Sequence, residues 1–93
     1  MIKTFADKET ENFWLKGRSK KIPVNIQKRA YRKLQILDAA MSLEDLRAPP
    51  SNHLEKLQGK RKEFYSIRIN KQWRICFCME NADVTAVEII DYH

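Results

Sequence analysis

The chain has two histidines, His53 and His93, and the second closes the run Asp91-Tyr92-His93. An imidazole titrates near neutrality, so a pair of them can take a proton from one oxygen and return a proton to another. A phosphoryl transfer run without a metal needs those two steps. Forty residues lie between the two rings, so the fold decides whether they meet. Metal ligation competes for the same atoms, together with Cys76 and Cys78. No pair has the spacing of a zinc knuckle or of a helical His-x-x-x-His, and no metal or other cofactor is expected. Taken singly, a histidine is more often a surface or hydrogen-bonded residue than a catalyst, and spacing alone does not choose.

A second set of residues suits an anionic substrate. "KLQGKRK", residues 56 to 62, puts Lys56, Lys60, Arg61 and Lys62 around Gly59. Arg74 lies in "WRICF" between Trp73 and Ile75. An arginine there is costly to bury unpaired, so it either faces an anion across a groove or forms a structural salt bridge, with the groove preferred. Tyr65 and Tyr92 either stack on bases, hold a substrate through their hydroxyls, or fill the core. The whole chain has 18 Lys and Arg against 12 Asp and Glu, a formal charge of +6. Residues 16 to 33 hold eight basic side chains and no acid, and residues 56 to 74 hold seven with Glu63 alone opposing them. That balance favours a polyanionic partner, nucleic acid first, against the plainer reading of two solvated faces.

Several classes are excluded. Gly17 and Gly59 are the only glycines, too few for a glycine-rich phosphate loop. Ser51 lacks the context of a nucleophile elbow. Cys76 and Cys78 stand at i, i+2, a poor geometry for a mutual disulfide, and read as reduced strand residues. With no long apolar stretch, the expectation is a soluble cytoplasmic protein that does not meet a membrane.

Ninety-three residues suit one domain, 1–93. "MIKTF" reads as a first strand, and Asp7 to Gly17 as a short helix with an Asp cap and a glycine stop. Pro23 opens a second helix over 23–40, with Ile26, Ala30, Leu34 (or Lys33), Leu37 and Met41 on its apolar stripe and a basic opposite face. "SLED", 42 to 45, has capping-box spacing and suggests one more turn, stopped by Pro49 and Pro50. Beyond the prolines the period falls to two. "EFYSIRI", "WRICFCM" and "VTAVEIIDYH" read as an antiparallel meander, with "HLEKL" as a short extended piece before it. The class is α+β: an N-terminal strand and two helices packed on a C-terminal antiparallel sheet.

The order H-x-x-K-L-x-G-x-R, "SIRIN", "WRICF" and "DYH" resembles the HigB branch of the RelE-type toxins of bacterial toxin–antitoxin modules, across nearly the whole chain. Lys60 and Glu63 depart from the residues common there, an acid and a glycine. The resemblance implies a compact RelE-like microbial RNase fold and ribosome-dependent cleavage of mRNA in the A site. It also implies a cognate HigA-like antitoxin with a helix-turn-helix domain, for which a heterotetramer on operator DNA is one arrangement. The family's functional residues fall on His53, Asp91, Tyr92 and His93.

The chemistry expected is attack by an RNA 2′-hydroxyl on its own phosphate, leaving a 2′,3′-cyclic phosphate and a 5′-hydroxyl. His53 and His93 would move the protons, with base and acid not distinguished. Asp91 shares strand parity with His93 and can orient it, whereas Tyr92 points the other way. Arg74, Lys56, Lys60 and Arg61 are the phosphate-binding candidates, and the basic helix face the candidate for ribosomal RNA. Two rivals remain open: a noncatalytic RNA- or DNA-binding module, and an interaction subunit for an acidic partner.

Overall fold

A computed structural model describes residues 1–59 and 63–92. Its elements run α1 (Lys8–Lys16), α2 (Val24–Ala39), two 3₁₀ turns (Glu44–Arg47 and Pro50–Asn52), β1 (Glu55–Lys56), β2 (Tyr65–Arg68), β3 (Trp73–Glu80) and β4 (Asp83–Asp91). The strands form one antiparallel sheet in the order β1-β2-β3-β4. Both helices lie over one face of it. Between them sit Phe13, Ile26, Leu34, Ile75, Phe77 and Val87.

Local chemistry explains the boundaries. Glu9 and Glu11 in the first turn of α1 and Lys16 in its last complement the helix dipole. Gly17 then takes a left-handed φ of 77° and its N–H closes on the Phe13 carbonyl at 2.7 Å. Asp7 stands at the N-cap position, but its carboxylate makes no capping bond. The second helix begins one residue after Pro23 and buries Ile26, Ala30, Lys33, Leu34 and Leu37. Met41, expected on that stripe, lies past the helix end and is 69% exposed. Tyr31 ties the helices together, stacked on Trp14 at 5.3 Å and edge-on to Phe13 at 5.7 Å. In "SLED" the Asp45 N–H reaches Ser42 Oγ at 3.4 Å, and the Asp45 carboxylate accepts from Met41 N–H at 2.9 Å.

The expected first strand is an extended segment with two isolated parallel bridges, Ile2 to Val84 and Phe5 to Val87. Lys3 and Ala6 donate to the carbonyls of Val84 and Val87, and Val84 and Val87 donate back to those of Met1 and Thr4. This segment covers the outer edge of β4, which would otherwise present open backbone groups. Its ladder is interrupted because β4 bulges there. The register with β3 slips between Cys76 and Cys78, and Ala86 takes φ 53° while donating to Thr4 Oγ1 at 2.9 Å. The bulge adds one residue, so Val84 and Val87, three apart, both turn into the core.

Further along that edge, the Ile89 N–H donates to Thr10 Oγ1 at 3.1 Å, and Thr10 is buried. Thr10→Val keeps the shape and removes the acceptor. It should cost about 1–3 kcal/mol of unfolding free energy, the cost of an orphaned amide. Urea denaturation reads this, and a variant as stable as the parent would show that water reaches the amide.

Candidate active site

A groove of about 710 Å³ opens between α2, the loop after the second 3₁₀ turn and the β2–β3 turn. Arg29, Arg32 and Lys33 line it from α2, Arg68 and Lys71 from the sheet side, and His53 from the loop; among the described residues no acid lines it. Arg29, Arg32, Lys33 and Ile36 stand at i, i+3, i+4 and i+7, one stripe of α2. Asn70 shapes the opposite wall. Its Oδ1 accepts from the N–H groups of Gln72 and Trp73 at 2.8 and 2.7 Å and so fixes the turn.

His53 is exposed and its backbone is left-handed, φ 44° and ψ 57°. A non-glycine residue keeps that conformation only when its surroundings hold it. Two buried cations do so here. Beneath the preceding residues, Lys33 Nζ donates to Asn52 Oδ1 at 2.6 Å and to Ser51 Oγ at 3.1 Å. Asn52, fully buried, passes the connection on through Nδ2 to the carbonyls of Leu46 and Ala48, both at 3.1 Å. From the sheet, Arg74 donates through Nη2 to the His53 carbonyl and through Nε to Ser66 Oγ at 2.8 Å.

Arg74 therefore departs from the preferred expectation. It is 7% exposed, bonded to Ser66 and His53, with Glu55 Oε1 at 3.7 Å. A guanidinium that far from water needs acceptors of its own, so the salt-bridge alternative describes it better than an open groove position. Its outer side meets Tyr92, whose ring centroid lies 5.6 Å from Cζ, within cation–π range. Tyr92 is 47% exposed, and its N–H donates to the Gln72 carbonyl at 2.7 Å. Asp91 is exposed and accepts from Gln72 Nε2 at 3.1 Å. Thus Arg74 joins the backbone of His53 to the ring of Tyr92. Lys56 is exposed on β1. Lys60, Arg61 and His93 lie outside the described residues. Among the described residues no three His, Cys, Asp or Glu side chains gather as a metal site, and no helix is long and apolar enough to cross a membrane.

A family model described as the RelE-like toxin HigB of type II toxin–antitoxin systems matches residues 3–93. The chain belongs to the HigB family. A Haemophilus influenzae protein of uncharacterised function is 48% identical over 64 residues, 69% of this chain and 63% of its own length. Toxin HigB-1 of Vibrio cholerae is 46% identical over 78 residues, 83% of this chain and 82% of its own. Endoribonuclease HigB of Proteus vulgaris is 31% identical over all of both chains. The fold matches a chain of the heterotetrameric YoeB–YefM toxin–antitoxin complex of Staphylococcus aureus with a TM-score of 0.63 at 20% identity, covering 100% of this chain and 95% of that one. This is the α+β arrangement of RelE-like toxins, two helices on an antiparallel sheet.

Within this HigB-family fold, sequence reasoning missed Asn52, Arg68 and Lys71, and placed Lys33 only as an alternative on the apolar stripe. The available signal was that alternation itself: a lysine at i+3 from Ala30 cannot join the stripe without acceptors beneath it.

Burial lowers the Lys33 pKa below its ordinary 10.5, and the nearby Arg29 charge lowers it further. Between the lowered value and 10.5 the unfolded chain binds the extra proton, so this group makes stability rise with pH across that window. Urea midpoints on the alkaline side, up to pH 10.5, should climb in the wild type relative to Lys33→Met. Parallel curves would contradict a destabilised ammonium.

Proposed function

We propose that the chain is the toxin of a type II module and acts as an endoribonuclease, cutting mRNA in the A site of the ribosome and so stopping translation. Family membership supports the class of activity. The observation that favours the site is His53, held in a strained backbone conformation on the rim of a groove that the described residues line with cations.

The reaction consists of attack by a 2′-oxygen on the adjacent phosphorus. The P–O2′ bond forms, the P–O5′ bond breaks, and the products are a 2′,3′-cyclic phosphate and a 5′-hydroxyl. One group removes the 2′ proton and another supplies a proton to O5′. His53 and His93 take these two roles, with Asp91 and Tyr92 completing the catalytic set. The cations of the groove, above all Arg68 and Arg32, hold phosphates and offset the charge that grows on the phosphorane. Lys56, Lys60 and Arg61 extend the RNA contact beyond β1, and Arg74 acts from beneath by fixing His53 and Tyr92. These groups meet the needs of the reaction without a metal. The partner that restrains the toxin is a HigA-like antitoxin with a helix-turn-helix domain, and the pair assembles on operator DNA as a heterotetramer.

The test is a map of new 5′ ends on one message incubated with the purified protein, with and without ribosomes stalled upon it. Ends confined to the A-site codon of bound message are expected. His53→Ala should lower the cleavage rate by roughly 10²–10⁴-fold, the worth of one acid–base group, while the exposed ring leaves the melting temperature nearly unchanged. A folded wild type that makes no new ends, yet binds RNA in a salt-dependent way, would mark a noncatalytic module instead.

A further inference from the structure

We infer that Lys33 is a positioning residue for His53: its buried ammonium holds Ser51 and Asn52 so that the next residue presents its imidazole to the groove. This rests on the reading of His53 as a catalytic group. The geometry has three parts. Lys33 is 6% exposed and spends donors on Asn52 Oδ1 at 2.6 Å and Ser51 Oγ at 3.1 Å, both neutral acceptors. Asn52 is fully buried and bonded at both ends of its amide, to Lys33 on one side and to the Leu46 and Ala48 carbonyls on the other. Arg74 grips the His53 carbonyl from the sheet. The loop is thus tethered on both sides of the one left-handed residue that carries the imidazole.

Stability alone does not ask for this arrangement. A buried ammonium whose acceptors among the described residues are neutral, with Arg29 adding repulsion, is costly, and an apolar side chain of similar length on the core stripe of α2 would avoid the desolvation. What the lysine supplies is direction. Its donors reach through the helix face to the two residues before His53, which no apolar chain can orient.

Lys33 also lines the groove, so the alternative role is a simple charge contact with RNA. The two roles separate kinetically. Lys33→Met should lower kcat on ribosome-bound message by roughly 10- to 100-fold, the scale of a misplaced reacting group, with KM nearly unchanged. Loss of a ground-state charge contact would instead raise KM and leave kcat, and loss of charge at the phosphorane would lower kcat in Lys33→Met but leave it unaltered in Ser51→Ala, which keeps the ammonium. Ser51→Ala removes one exposed acceptor and should lower kcat by about 2- to 10-fold, the worth of one hydrogen bond. If Lys33→Met does not fold, Ser51→Ala decides, and an unaltered kcat there overturns the inference.

A second readout needs no substrate. The His53 ring signal in an NMR spectrum, identified by its loss in His53→Ala, should shift or broaden in Lys33→Met or, failing that, in Ser51→Ala. Raised KM with normal kcat, or an unmoved His53 signal, overturns the positioning role. Should His53→Ala itself remain active, the catalytic reading of His53 fails, and the ring signal still decides whether Lys33 holds the loop.

Discussion

A cation taken out of water must find acceptors, and in this protein two such cations organise everything near the groove. Lys33 comes from the helix layer and Arg74 from the sheet. Among the described residues neither has a buried carboxylate; their close partners there are a serine, an asparagine and backbone carbonyls, with Glu55 at 3.7 Å on the exposed side of Arg74. Neutral acceptors have to be brought to the charge by the chain, and the segment that comes is Ser51 to His53. A flexible loop could not satisfy both cations, because losing either contact would leave a buried charge bare. The loop is fixed by what it must neutralise.

The sheet that carries Arg74 is held from its far edge. The segment Met1 to Ala6 and Thr10 of α1 take up backbone groups along the outer side of β4. Between the two bridges, the bulge at Ala86 turns both Val84 and Val87 inward. Beyond it, undisturbed pairing of Trp73 with Asp91 and Arg74 with Ile90 delivers Tyr92 to the face where Arg74 lies. A one-residue change in register would move every later side chain of β4 to the other face. The bulge at one end of the strand therefore governs the placement of the residues at the other.

Much of this was legible in sequence. The second helix, read as 23–40 and found at Val24–Ala39, the glycine stop at 17 and the alternation of Trp73, Ile75, Phe77 and Met79 follow from local rules of spacing and turn chemistry. The two histidines were raised by their chemistry, but the choice of all four catalytic residues leaned on resemblance to a family, since an isolated histidine carries no local signature of its task. Three things stayed hidden for one physical reason, which is that each depends on contacts distant in sequence. The bulge at Ala86 answers to Thr4, 82 positions away. Arg74 turned from groove to scaffold because His53, 21 positions away, offers it a carbonyl. Lys33 read equally well as a stripe residue or a surface charge until Asn52 lay under it.

The same limit applies to charge, where the sequence shows the excess but not its convergence. The two acid-poor runs, residues 16 to 33 and 56 to 74, contribute opposite walls of one groove: Arg29, Arg32 and Lys33 from the first, Arg68 and Lys71 from the second. Folding brings these cations closer than they stand in the unfolded chain, so mutual repulsion opposes the folded state and the apolar core must offset it. Any polyanion that enters the groove relieves that repulsion as well as making its own contacts. By linkage, an occupant that binds the folded chain alone stabilises it in proportion to the logarithm of its concentration over its dissociation constant. Occupancy and folding are thus coupled through a single electrostatic cost, and salt, which screens exposed charges, weakens the repulsion and the attraction together.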